Sequence, residues 1–385
     1  MKRSIVPLAL AAVLGLFSQS TAAAQYDLLV GTYTQGSSEG IYRYRFDSAS
    51  GQIASEPRQV VKSTNPSWLT LSRDRRHLFA VNENGPGQAD PVGAVSSFAI
   101  DPDTHALSVI NQVGSQGDEP THASLSADQA FLFVANYAVR PLPGGSLSVL
   151  PVSGAGKLSP VVQQVRHNAS HVNLERQASS HVHAVIPAPD GRYVFACDLG
   201  ADKVFAYRFD ASNATRPLTP ADPPAVPLPP GSGPRHLVFG ANGKQAYLTL
   251  EMSAQVVVFD YRQGTLEQRQ LLELASPQPA AKAGGAVHVS ADGKFLYASN
   301  RGTANELSVF AIAPQTGLLT LLQRRSVAGD LPREFSLDPS GKFMLVANQK
   351  SNGIVVLERD PNTGLLGRVI QTLAVDSPSD LKFID

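Results

Sequence analysis

Cysteine is almost absent: the chain holds one, Cys197. A disulfide framework and a cysteine-based zinc site are therefore both excluded. Cys197 ends the apolar run Tyr193-Val-Phe-Ala-Cys197, where a small buried side chain is expected rather than a nucleophile. Net charge is missing too, because 32 basic residues balance 32 acidic ones. That balance argues against a strongly cationic nucleic-acid or membrane binder. No G-x-S-x-G elbow, P-loop, H-E-x-x-H or strand-to-helix G-x-G-x-x-G is found, and no nucleotide or other cofactor is expected. Gly-His…Trp-Asp pairs are lacking, so an ordinary WD40 scaffold is not indicated. No amphipathic helical pattern of useful length follows residue 25.

A long hydrophobic run occurs once, at the start. Lys2 and Arg3 precede Ile5 to Phe17, and Ala22-Ala23-Ala24 offers small residues for cleavage. This pattern predicts a signal peptide over 1–24 and export to a periplasm. The competing reading, a membrane anchor, needs roughly 20 apolar residues, more than the run supplies. No membrane association is expected after cleavage.

What the chain has is glycine (31), proline (28) and 43% apolar residues against 17% charged, the profile of a globular protein rich in turns. Its length fits two or three domains, or one large all-β unit. Repeats decide between them. Leu78–Asn82, Phe131–Asn136, Tyr193–Asp198, Phe295–Asn300 and Phe343–Asn348 are apolar, β-prone runs closed by Asn or Asp. Before such runs stand turns at Asp74, Asp128, Asp190-Gly191, Asn242-Gly243, Asp292-Gly293 and Ser340-Gly341. A recurrence of roughly 50 residues with about four strands per unit predicts a β-propeller. The final copy begins at Pro378 and stops, while Tyr26–Tyr33 reads as a second strand. The two termini are thus expected to complete one blade, giving a single seven-bladed all-β domain over 25–385. Two stretches break the period: a polar insertion, His167 to Ser180, and the Pro-rich Asn213 to Ser232, read as a rigid surface loop.

Counting back seven residues from each turn gives Ser67, Thr121, His183, Arg235, Gly285 and Arg333, with Ser379 in the last copy. Counting forward nine gives Glu83, Tyr137, Leu199, Glu251, Arg301 and Gln349. In an antiparallel hairpin these are near cross-strand neighbours, so all are expected on one rim. Three Arg and a His on that rim, with few acids, mark a site built on a rigid scaffold. Arg235 and Glu251 also fit a structural ion pair. His181 and His183 have a spacing that binds metals, but His122 and His236 fall one residue off the column, so no metal is expected. Glu334 and Asp380 are expected as inter-blade contacts, and His77, His105, His167 and His171 as surface or loop residues. Trp68 either packs between blades or lines the mouth.

Several motifs resemble the 6-phosphogluconolactonase family of the propeller type: Gly31-Thr-Tyr-Thr34, Asn65-Pro-Ser-Trp-Leu69, Pro120-Thr-His122, Ser180-His-Val-His183, Gly233-Pro-Arg-His236, Ala298-Ser-Asn-Arg-Gly302 and Pro332-Arg-Glu-Phe335. The fungal carboxymuconate lactonizing enzymes are similar relatives. The resemblance implies hydrolysis of a sugar lactone, with active-site roles for His183, Arg235, Glu251 and Arg301. His181, Arg333, Tyr137 and His122 stand beside them as substrate-binding candidates. Arg235 or Arg301 suits the oxyanion, and His183 or Glu251 suits proton transfer. Export departs from the cytoplasmic setting of pentose phosphate chemistry and points to a non-phosphorylated lactone. A muconolactone-forming lyase and a non-catalytic binding propeller are the alternatives. The expected partner is a small-molecule lactone, not nucleic acid.

Overall fold

The computed structural model describes residues 24–274 and 282–384, so the expected leader, apart from Ala24, lies outside the described residues. Every regular element described is a strand, and no helix is long and apolar enough to cross a membrane. The strands form seven antiparallel sheets, numbered here as blades 1 to 7 in ring order. The innermost strands of blades 2 to 7 are Trp68–Leu71, Pro120–Leu125, Val182–Pro187, Pro234–Phe239, Gly284–Val289 and Pro332–Leu337. Blade 1 takes its innermost strand, Pro378–Ile384, from the C-terminus and its second, Gln25–Thr32, from the N-terminus. Leu28 pairs with Phe383 and Val30 with Leu381, which closes the ring.

The second strands explain why the repeat is readable. Phe131–Asn136, Tyr193–Asp198, Gln245–Leu250, Phe295–Asn300 and Phe343–Asn348 are buried at every position. Each is covered on both faces by neighbouring blades, so its sequence is continuously apolar rather than alternating. The apolar core is accordingly divided into seven clusters, one between each pair of adjacent blades. The closing Asn or Asp is fully buried and ties strands together: Asn136 Nδ2 donates to Ser146 and Ser148 Oγ, and Asp198 accepts from His181 N–H.

One irregularity recurs and matters for the site. In blades 3, 4, 5, 7 and 1 the innermost strand shifts register at Thr121, His183, Arg235, Arg333 and Ser379. His183, for instance, lies between Val182, paired to Asp198, and Ala184, paired to Cys197. Each rim residue is the extra residue of a β-bulge, which re-aims its side chain. In blades 2, 3, 5, 7 and 1 the strand is entered through a left-handed residue followed by Pro: Asn65, Glu119, Gly233, Leu331 and Ser377, with φ between 42° and 64°.

The Pro-rich segment departs from expectation. Leu218–Pro227 is the outermost strand of blade 4, paired to Lys203–Phe209, not a free loop. An edge strand needs ladder bonds on one side only, which accommodates proline, and the register shift between Phe205 and Tyr207 takes up the excess. His167 lies in a loop, one of the two settings expected of it, but it is not at the surface. Its side chain is buried, bonded to Asp198 Oδ2 (2.8 Å) and Tyr207 Oη (2.6 Å) and stacked on Phe205.

Candidate active site

The bulges and the residues after the second strands converge at one mouth. The N–H groups of Glu83, Tyr137, Leu199, Glu251, Arg301 and Gln349 each donate to the carbonyl two residues before the paired rim residue. Tyr33 makes the same bond to Ser377 O. It is the seventh member of this set, in the blade split between the termini. The mouth opens into a cavity of about 560 Å3 whose lining includes Tyr33, Glu83, Tyr137, His183, Glu251, Arg301 and Arg333.

Glu251 is the hub. Its Oε2 accepts from Arg235 Nε (3.1 Å) and is ion-paired with Arg301 Nη2 (2.7 Å), and its Oε1 accepts from Arg176 Nη2 (2.7 Å). His183 Nε2 lies 3.8 Å from Oε2. Burial by itself would raise the Glu251 pKa, but Arg301, His183, Arg235 and Arg176 outweigh it and hold the carboxyl well below the usual range. Burial, reinforced by Arg235, pushes His183 well below its ordinary value, so its imidazole is neutral at pH 7. Burial and the nearby Arg301 also push Arg235 down to about 9, against the pull of Glu251. One carboxylate against three guanidiniums leaves a positive excess, suited to a developing anion. His183 Nδ1 and Arg301 Nε are buried with no hydrogen-bond partner.

A second cluster faces the first. Glu83 Oε2 accepts from Tyr33 Oη (2.7 Å) and Arg333 Nη2 (3.2 Å), and Ser67 Oγ also donates to it. The Arg333 guanidinium lies over the Tyr33 ring, 4.9 Å from its centroid. The mouth is therefore not poor in acids as the sequence suggested, because each arginine cluster is centred on a glutamate.

The other candidates sort by depth. Arg235 is 1% exposed and stands behind Glu251, outside the cavity lining. Tyr137 walls the cavity, with His181 stacked behind it and bonded through Nδ1 to Tyr137 O (2.9 Å). His122 is deeper. It packs on Trp68 (centroids 4.3 Å apart), and His236 touches both Trp68 (5.2 Å) and His183 (5.1 Å). Trp68 thus packs between blades 2 and 3, with its Nε1 donating to Ala123 O (3.1 Å), and it does not line the mouth. Glu334, bonded to His288 Nε2 at 2.5 Å, and Asp380, bonded to Leu69 N–H at 2.7 Å, are inter-blade contacts. Among the described residues no group of three or more His, Cys, Asp or Glu side chains is arranged to hold a metal.

Arg176 was not among the sequence candidates. It lies in the 167–180 insertion, which has no counterpart in the other blades, so no register reaches it. It bridges Glu251 and Tyr137 Oη (3.2 Å). Gln177 Nε2 to Leu199 O (2.9 Å) and Ser170 N–H to Gly200 O (2.8 Å) fasten the segment to blade 4.

Comparison with known proteins agrees with this architecture. The sequence profile described as "Lactonase, 7-bladed beta-propeller" matches residues 27–383. The chain is 32% identical over 359 residues to a 6-phosphogluconolactonase of Bacillus subtilis, covering 92% of this chain and 97% of that one. It is 34% identical over 360 residues to a 6-phosphogluconolactonase of Formosa agariphila, covering 92% and 98%. Among solved structures, a periplasmic gluconolactonase of Pseudomonas aeruginosa superposes with a TM-score of 0.92 at 52% identity, covering 94% of this chain and 99% of that one. With the profile spanning nearly every described residue, the chain belongs to the seven-bladed β-propeller lactonase family.

Proposed function

We propose that this protein is an exported hydrolase that opens a non-phosphorylated sugar lactone to its aldonic acid. The observation that carries the reading is the neutral His183 beside a Glu251 locked in its charged form, on the wall of a cavity that Arg301 also enters. In this mechanism His183 takes a proton from the attacking water while the water oxygen adds to the lactone carbonyl. Glu251, 3.8 Å away, stabilises the imidazolium that forms. Both of its oxygens are already engaged by guanidiniums, which assigns the proton transfer to the histidine. Arg301, which lines the cavity, stabilises the oxyanion through its guanidinium N–H donors. The ring C–O bond then breaks, and the leaving ring oxygen receives the proton from His183. Arg235 and Arg176 are positioning residues that fix Glu251.

The charge pattern supports a substrate without phosphate. Arg333 is already matched by Glu83, and Glu119 and Asp90 line the same side of the cavity, a poor setting for a dianion. It equally disfavours the dicarboxylate that a muconolactone-forming lyase would bind. The export reading rests on the signal-peptide pattern and on similarity to the periplasmic gluconolactonase of Pseudomonas aeruginosa. The test is a pH-stat assay of the purified mature chain on glucono-1,5-lactone and its 6-phosphate. The expected result is acceleration over spontaneous opening, with kcat/KM at least about tenfold higher without the phosphate. A preference for the phosphorylated lactone would overturn the substrate assignment.

A further inference from the structure

The cavity is lopsided. The clamp around Glu251 belongs to blades 4 to 6 and the strap before blade 4, yet most of the lining comes from blades 1 to 3 and the segments that join them. That half presents Tyr33, Thr34, Asn65, Gln88, Asp90 and Glu119. It contributes hydroxyls, amides and carboxylates but no lysine or arginine, and the facing Arg333 is neutralised by Glu83. The groups are held in place by one another. Asn65 Oδ1 accepts from Thr34 N–H (2.9 Å) and Oγ1 (3.0 Å), and Asn65 Nδ2 donates to Asn84 Oδ1 (2.9 Å) and Gln88 Oε1 (3.2 Å). Asn84 Nδ2 in turn donates to Asp90 Oδ2 (2.9 Å). This network ties the segment after Glu83 to blade 1 and pre-orders a polar wall.

A single sugar ring needs roughly 200 Å3 at the close packing that bound ligands reach. The cavity, at about 560 Å3, is far larger than that. Its unused half suits a neutral, polyhydroxylated group, whose hydroxyls both donate to carboxylates and accept from amides. We propose that this half is a subsite for a second sugar ring, and that the preferred substrate is the lactone of a disaccharide aldonic acid. The proposal rests on the lactonase reading above and specifies its substrate class. In the reaction, water adds to the lactone carbonyl carbon, the bond from that carbon to the ring oxygen breaks, and the ring oxygen takes the proton. The glycosidic bond to the second ring is untouched. The reaction that supplies such a substrate is dehydrogenation of a disaccharide at the anomeric carbon of its reducing end.

The test compares cellobiono-1,5-lactone with glucono-1,5-lactone on the purified mature chain, each corrected for spontaneous opening. The expected kcat/KM is at least about fivefold higher on the disaccharide lactone, the effect of one or two added hydrogen bonds. Gln88→Ala, which removes an amide from the subsite, and Ala89→Trp, which fills it, each lower that ratio toward one. A wild-type ratio of one or less, or a ratio that neither variant moves, overturns the subsite while gluconolactone turnover leaves the lactonase reading intact. Turnover of neither lactone removes both.

Discussion

Glu251 gathers more charge than any other side chain at the mouth, and its neighbours make it the residue whose change is most informative. Glu251→Gln preserves shape but leaves Arg176, Arg235 and Arg301 facing an amide. Breaking a buried ion pair from one side costs about 3–5 kcal/mol, and the solvent-reached Arg176 brings this case toward the lower end. The expected outcome is a lowered urea midpoint together with at least about a hundredfold loss of kcat/KM, read from chemical denaturation and a lactone assay. The histidines give a second prediction. Burial holds His183 and His236 well below their ordinary value and pushes His122 down to about 3. In the unfolded chain each titrates near about 6.5. Between the unfolded and the folded value the unfolded chain binds the extra protons, so stability is fully present above that window and falls as pH drops through it. Each histidine contributes up to about 1.4 kcal/mol per pH unit. Denaturation midpoints measured from pH 7 to 5 should fall steadily, and His122→Phe should flatten the slope.

At the scale of elements, the bulged innermost strand and the strap carry the site. The rim column was legible because turn and strand lengths repeat, so counting from Asp190 reaches His183 and counting from Asn242 reaches Arg235 and Glu251. The bulge itself was not legible. In a regular strand a one-residue offset flips a side chain to the other face. That logic separated His122 and His236 from the His183 column, whereas the bulge sets His236 against His183 at 5.1 Å. Tyr33 escaped because its blade is divided between the two ends of the chain. Arg176 escaped because an insertion has no register. The strap prediction follows from its exposure: the Arg176 side chain is 41% exposed, so its ion pair adds little to stability. Arg176→Ala should leave the denaturation midpoint within about 1 kcal/mol of wild type. It should lower kcat more than it raises KM, with partial rescue by Arg176→Lys. A change in KM alone would mean that Arg176 contacts substrate and does not position Glu251.

For the whole molecule, ring closure by both termini makes seven inter-blade clusters interdependent. Deleting residues 378–385 removes the innermost strand of blade 1 and exposes Leu28 and Val30 on one side, along with an unpaired edge. The truncated chain is expected to be aggregation-prone, with its cooperative unfolding transition lost in calorimetry; an unchanged transition would mean that the ring holds without closure. The same rigidity explains why the mouth can hold opposed charges at fixed distances, since residues from blades 4, 5 and 6 meet at Glu251 without any one blade supplying the site. Composition alone concealed this, because a net charge of zero says nothing about where the charges meet.

The proposed opening of lactones at this mouth depends on His183 and Arg301. That dependence is tested most directly by following proton release from glucono-1,5-lactone in a pH-stat with the purified chain and its His183→Ala and Arg301→Ala variants. The wild type is expected to run well above the rate of spontaneous opening. Each variant is expected to lose at least about tenfold in kcat/KM with the circular dichroism spectrum unchanged. Near-wild-type activity in folded His183→Ala and Arg301→Ala, or a wild-type rate no faster than spontaneous opening, would contradict the proposal.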